Sequence, residues 1–514
     1  MKKLSKYDKI FIIYLAILSA ALFSTFFFNH VWADEGTHLL LAIFYKDLAN
    51  YIIQTHTISF NRLYQFGINY LISYPKLQIA YTPLFHMTTS AAFFLFGASA
   101  IVGRTVSLLY AAGSALIFYL LAKKFFEPKT ALIAAVLFSL SPIFLIYSSR
   151  AMMDSTVMFW LLASSYAFAT ALEKNNLKYY VLTGFLAFLA ALGKQMGGIV
   201  LLFYVFIIFK NPLKIKNWNL QNLKKSFVVL FTFALFFLPY FYILNLVGGI
   251  KLNEMVAIGY ASEQGEPTSL LDYNFWVYYF VKPLAISPMA PLLLLALAFY
   301  CYNKNKYWQP LLIFFTIFYI CITIIPNKEL RFSQFFLLPT YVTAAYYLSK
   351  MKKHFSLILI SAYLLISATV YLPLLVSYPT EKIVQFIYHN NKSGGNVAFI
   401  SEDEPLYSSS VMWHMRLLDG EKNIRFYRAC AFDKMNRTEI ISTLNNNNIY
   451  FIIYSSWSEN GNIEKIKDRL DLKMEVDEGG YKTLIYTYKD FSYVDATKCN
   501  FICLTKEMIC ASQI

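Results

Sequence analysis

Apolar runs divide the first three quarters of the chain, each bounded by polar or basic residues. They fall near residues 10–28, 103–122, 130–148, 153–171, 178–193, 197–210, 226–247, 284–301, 310–325, 331–349 and 355–374. About 20 apolar residues in a helix cross a hydrocarbon core roughly 30 Å thick, so these runs predict about eleven transmembrane helices, the shorter ones tilted or with interfacial ends. The first run is too long, and lacks the small-residue cleavage site, for a removable signal, so it reads as a retained signal-anchor. After residue 378 the texture changes, with strand-like runs NVAFI (396–400), IYFIIY (449–454) and TLIYTY (483–488) set among polar stretches. The pattern predicts an α-helical polytopic membrane domain over 1–375, with a large first outer loop at 29–102, and a mixed α/β domain over 376–514.

Composition agrees: 58% of residues are hydrophobic and 15% charged, and the mean hydropathy is +0.47. The formal charge of +15 raises the question of nucleic acid, but the basic residues stand in short clusters between apolar runs, not on one soluble face. They are MKKLSKYDK, AKKFFEPK (122–129), EKNNLK (173–178), KNPLKIKNWNLQNLKK (210–225), YNKNK (302–306) and SKMKKH (349–354). Cytoplasmic loops are enriched in Lys and Arg, so all six clusters are expected inside, with a cytoplasmic N-terminus.

That sidedness decides how YTPLFHMTTSAAFFLFG (81–97) is read. As a span it would put the first cluster and the later five on opposite sides; as an interfacial or re-entrant helix it leaves them together. Residues 37–55 and 82–97 are then expected along the outer surface. The turns at 148–155, 193–197 and 326–331, the loop 248–283 and the tail after 375 also face outward.

The charged or ionisable residues at that outer surface are few: Asp34, Glu35, His38, Lys76, His86, Arg104, Arg150, Asp154, Lys194, Lys328, Glu329 and Arg331. Such groups near spans are costly and face a cavity or a partner. Arg150, Lys194, Lys328 and Arg331 come from separate turns and can converge with the first-loop carboxylates. Cations suit a polyprenyl-phosphate sugar, whose phosphate gathers charge as the glycosidic bond breaks. A carboxylate suits the acceptor hydroxyl, which must lose its proton as it attacks the opposite face of the sugar.

The pair in ADEG, the TPLFH segment, GASAIVGR, SRAMMDS, LGKQMG and NKELRFSQFFLLP, in that order over most of residues 1–375, resemble the GT-C fold membrane glycosyltransferases. The kin it resembles are the dolichyl-phosphate-mannose protein mannosyltransferases and the aminoarabinose lipid A transferases. The resemblance implies Asp34 as catalytic base and Glu35 as an acceptor-orienting group. It implies that Arg150, Asp154, Lys194, Lys328 and Arg331, with His86, surround the lipid phosphate and sugar. It also implies a hydroxyl acceptor on a protein, glycan or lipid, while the outward-facing C-terminal domain follows from the sidedness of the basic clusters. The chain departs from the family at Tyr81-Thr82-Pro83, where members often carry His-Pro-Pro, and at Lys194-Gln195-Met196, where they carry Lys-Gly-Pro.

Structural readings stand beside these. Asp34 and Glu35 suit the N-terminus of a helix starting near Thr37, and Asp154 suits the start of the next span. Arg150 suits an interfacial anchor, Lys194 a snorkelling lysine, and His38 and His86 a packed core. No compact His/Cys cluster suggests zinc, and no Asp-x-Asp stands in the first outer loop, so a divalent cation has no support from the sequence. Cys430, Cys499, Cys503 and Cys510 fall in the outer domain, where three disulfide pairings are open. Asn391-Lys-Ser and Asn436-Arg-Thr are sequons on the same side. A transporter or flippase of lipid-linked saccharide is the competing function; against it, the charges gather on one side and paired broken helices are not evident. A receptor anchored by eleven spans would be extravagant.

Overall fold

The computed structural model describes residues 4–27, 31, 33–56, 58–74, 81–209, 219–246, 272–281, 308–325, 329–372, 380–391, 396–401, 413–414, 416–418, 426–428, 436–446, 449–456, 462–478 and 481–489. The chain forms two units. One comprises Met1–Phe28, Ala80–Thr88 and Gly103–Val376; the other comprises Asn29–Ile79, Thr89–Val102 and Ser377–Ile514.

In the first unit, α1 (Lys6–Thr25), α5 (Ala100–Phe125), α8 (Asp154–Lys174), α11 (Leu220–Leu246) and a helix over Lys353–Tyr371 are long and apolar enough to cross a membrane. A sixth crossing is made if α6 (Pro128–Ser139) and α7 (Pro142–Ser148), bent by 63°, count as one. The apolar helices α9 (Leu177–Gly193), α10 (Val200–Phe209) and Trp308–Ile324 are shorter. Among the described residues, length and apolarity alone therefore mark five or six crossings, where about eleven were expected over the whole chain. The expected span near 284–301 lies outside the described residues, and several of the others are a turn or two short of the bilayer core.

The bend follows from the sequence. Ser141 caps α7 by accepting from the Phe144 N–H, and Pro142 follows at a position where its missing N–H costs nothing. Lipid cannot satisfy the carbonyls freed by such a break, so side chains do. The Tyr363 hydroxyl donates to the Leu137 carbonyl in the last turn of α6 at 3.0 Å, while the Ser139 hydroxyl, itself 2.6 Å from that of Tyr14, bonds back to the Ala135 carbonyl within α6.

Side-chain pairs draw four of the basic segments to one end of this unit. Lys123 and Tyr119 both reach the Asp8 carboxylate, at 2.5 and 2.6 Å. Lys124 pairs with Glu173 at 2.8 Å and Lys350 with Glu127 at 3.2 Å. A common side for these segments is thus built into their contacts. Tight helix packing depends on glycine: a Cβ on Gly184 of α9 would lie 2.4 Å from the Val229 carbonyl oxygen of α11, and one on Gly193 would lie 3.0 Å from Val157 Cα of α8.

In the second unit, α2 (Ala33–Thr55) and α3 (Phe60–Ser73) pack through Phe44, Tyr51, Phe66 and Tyr70. Its later part holds a five-stranded sheet of β1 (Asn396–Ser401), β2 (Phe426–Arg428), β3 (Ile449–Ser456), β4 (Leu470–Glu478) and β5 (Tyr481–Tyr488), in the order β2-β1-β3-β5-β4. β1 runs parallel to β2 and β3, while β5 runs antiparallel to β3 and β4. Ile440 and Leu444 of the helix Arg437–Asn446 pack with Ala398, Ile452 and Tyr486 in one core. Cys430, Cys499, Cys503 and Cys510 lie outside the described residues.

Candidate active site

A cluster of charge sits where three turns of the first unit meet. Asp154 opens α8 and is fully buried, with Met153 as the residue preceding the helix. Its carboxylate accepts from the Lys194 ammonium at 3.1 Å through one oxygen, and the Arg331 guanidinium lies 3.7 Å from the other. Lys194 follows Gly193 at the end of α9 in an extended conformation, before the 3-10 turn Gln195–Ile199. Arg331 lies in the 3-10 turn Leu330–Phe332 that leads into the helix Ser333–Lys350, and also pairs with Glu329.

Gly193 explains why Lys194 reaches Asp154. Its bare Cα lets the end of α9 close onto Val157, one turn after Asp154, and its carbonyl accepts from the Thr82 hydroxyl at 2.9 Å. Aromatic faces line the cations: Lys194 lies 4.5 Å from the Phe332 ring centre and Arg331 lies 5.6 Å from that of Tyr147. Burial lowers the Lys194 pKa against the opposing pull of Asp154. Two cations and two carboxylates thus share a largely buried site, where an added anion interacts more strongly than in water.

The snorkelling reading of Lys194 does not describe this geometry, since its side chain is 14% exposed and turned onto Asp154. Arg150 is half-buried in the turn between α7 and α8, where its carbonyl accepts from the Met152 N–H. His86 is fully buried in α4 (Leu84–Phe96), with Nδ1 3.0 Å from the Thr82 carbonyl and its ring stacked on Tyr81. Lys328 lies outside the described residues. Tyr147 and Phe332 were not singled out from the sequence, and Thr82 was named only as a departure from the family pattern. Thr82 stands in the YTP turn and the other two flank candidate cations, which is the signal that adjacency offered.

In the second unit, Asp34 and Glu35 occupy the first turn of α2, which begins at Ala33, ahead of the start expected near Thr37. Asp34 is half-buried and Glu35 and His38 are buried. Carboxylates there are favoured by the helix dipole, and an acid that keeps some exposure can still meet a substrate. Among the described residues no group of three or more His, Cys, Asp or Glu side chains is placed to hold a metal ion.

Residues 80–243, which carry Thr82, His86, Arg150, Asp154 and Lys194, match the family model described as dolichyl-phosphate-mannose-protein mannosyltransferase. The chain superposes on ArnT from Cupriavidus metallidurans bound to undecaprenyl phosphate, with a TM-score of 0.58 and 10% identity over 93% of this chain and 97% of that one. The fold is that of the GT-C glycosyltransferases. The GT-C likeness extends to apo ArnT from the same organism, with a TM-score of 0.59 and 10% identity over 94% of this chain and 98% of that one. It extends also to the apo oligosaccharyltransferase of Archaeoglobus fulgidus, with a TM-score of 0.57 and 14% identity over 87% and 69%. Comparison with curated proteins gives no match.

Proposed function

We propose that this chain is an integral-membrane, inverting glycosyltransferase that moves a sugar from a polyprenyl phosphate to a hydroxyl on a protein, glycan or lipid outside the cytoplasm. The observation that carries the reading is the buried Lys194 and Arg331 pair around Asp154, within a fold shared with an ArnT structure that holds undecaprenyl phosphate. In this reading the cations receive the donor phosphate, Arg150 and Lys328 add to its field, and His86 lies beside the sugar. The acceptor oxygen attacks the anomeric carbon, the carbon–oxygen bond to phosphate breaks, and the electron pair leaves on the phosphate. Asp34 takes the acceptor proton and Glu35 orients the acceptor. The polyprenyl tail lies among apolar helices. The N-terminus and basic segments face the cytoplasm, and residues 376–514 form the outer domain.

A flippase draws on one observation, the broken α6–α7 helix. The Leu137 carbonyl at that break accepts from the Tyr363 hydroxyl, so the protein itself supplies a partner there without a cargo. The deciding experiment incubates the purified protein in nanodiscs with a panel of polyprenyl-phosphate sugars and cell-envelope acceptors, and follows the lipids by mass spectrometry. Release of free polyprenyl phosphate with a sugar added to an acceptor is expected. Movement of intact donor between leaflets without bond cleavage would establish the flippase.

A further inference from the structure

The second unit joins residues far apart in sequence through one carboxylate. Asp47, in the same helix α2 that opens with Asp34 and Glu35, accepts from the Arg416 guanidinium at 2.8 Å and from the Tyr70 hydroxyl at 2.9 Å, through the same oxygen. Three residues before Arg416, Trp413 is fully buried and stacks on Phe93 of α4, with ring centres 5.9 Å apart. Lys46, beside Asp47, lies 5.9 Å from the Phe94 ring centre, which ties α2 to α4 from the other side.

An exposed ion pair is worth little, about 1 kcal/mol or less. This one is about three-quarters covered on both partners, shares its acceptor with a tyrosine, and lies three residues along the chain from a buried tryptophan. Burial opposes the charge on Arg416, yet the Asp47 carboxylate raises its pKa, so the guanidinium stays charged. Among the described residues, the core of the five-stranded sheet is made by other side chains.

We propose that Trp413 and Arg416 form a clamp by which the C-terminal region holds α2 and α4 in place, making Arg416, Asp47 and Tyr70 positioning residues for the acidic pair at the start of α2. The mechanical part stands alone, whereas its catalytic consequence rests on the reading of Asp34 and Glu35 given above. A misplacement of about 1 Å costs roughly a hundredfold in rate, so a helix carrying a base needs such a hold.

The test uses the full-length protein in nanodiscs and compares wild type, Arg416→Ala, the exchanged pair Asp47→Arg with Arg416→Asp, and the milder Tyr70→Phe. Hydrogen exchange of peptides from 33–55 and the donor KM and kcat are measured on each. Arg416→Ala is expected to speed exchange in those peptides and lower kcat about tenfold or more with donor KM nearly unchanged, and the exchanged pair to restore both. Tyr70→Phe gives a smaller shift in the same direction and decides the matter if Arg416→Ala fails to fold. Unchanged exchange in α2 overturns the clamp, and faster exchange with unchanged kcat overturns its positioning role. If wild type transfers no sugar, the glycosyltransferase reading fails, and exchange alone still decides the clamp.

Discussion

Lys194 and Asp154 form a buried ion pair at 3.1 Å, and the Asp154 carboxylate is also the group that Arg331 approaches. An anion entering this site must share these cations with a carboxylate already present. Asp154→Asn keeps the shape and strips the charge, leaving two buried cations without that partner, a change that typically costs about 3–5 kcal/mol. The variant is expected to melt lower than wild type and to gain more from added polyprenyl phosphate, because the lipid phosphate replaces the missing charge. Thermal unfolding followed by tryptophan fluorescence, with and without the lipid, checks both. An equal gain in the two proteins would place the phosphate away from Lys194 and Arg331.

Gly184 offers a test of packing independent of chemistry. An added Cβ would sit 2.4 Å from the Val229 carbonyl oxygen and 2.9 Å from Thr232 Cβ, and backbone cannot turn aside as a flexible side chain can. Gly184→Ala is therefore expected to destabilise the protein by about 1–3 kcal/mol through overpacking of α9 on α11. A melting temperature equal to wild type would show that the two helices separate freely.

The expected sidedness of the paired basic segments can be tested directly. Lys353 and Lys465 are both exposed, the first within the cluster SKMKKH and the second in the C-terminal region. In intact cells, a cysteine at Lys465 is expected to react with an impermeant maleimide and one at Lys353 only after permeabilisation. The reverse pattern would invert the topology.

Much of this was legible in the sequence because membranes enforce simple rules. Apolar runs such as 103–122 and 153–171 fall on α5 and α8, and the separate turns carrying Asp154, Lys194 and Arg331 do meet. The break in α6–α7 was read through as one run, although Ser141-Pro142 carries the signal: a capping hydroxyl followed by a residue with no N–H to offer the preceding helix. The pairing of Arg416 with Asp47 had no such signal. It spans 369 residues, and periodicity reports which face of an element is apolar, not which distant charge will meet it.

Asp34 and Glu35 share the first turn of α2 yet differ in setting, the first half-buried and the second buried. A base must meet its acceptor, which favours Asp34, while a buried neighbour is better suited to holding geometry. Asparagine has nearly the shape of aspartate and serves a helix N-terminus well, but cannot take a proton. If the helix alone needs Asp34, Asp34→Asn will fold and transfer sugar almost normally. If the acceptor needs it, the variant will fold, bind donor and lose roughly a hundredfold or more in turnover. We expect the second outcome, measured on purified protein with a defined lipid donor at saturating concentration so that binding and chemistry separate. Glu35→Gln is expected to raise the acceptor KM more than it lowers kcat. A silent Asp34→Asn beside an inactive Glu35→Gln would exchange the two roles, and near-normal turnover in both would remove the pair from the chemistry.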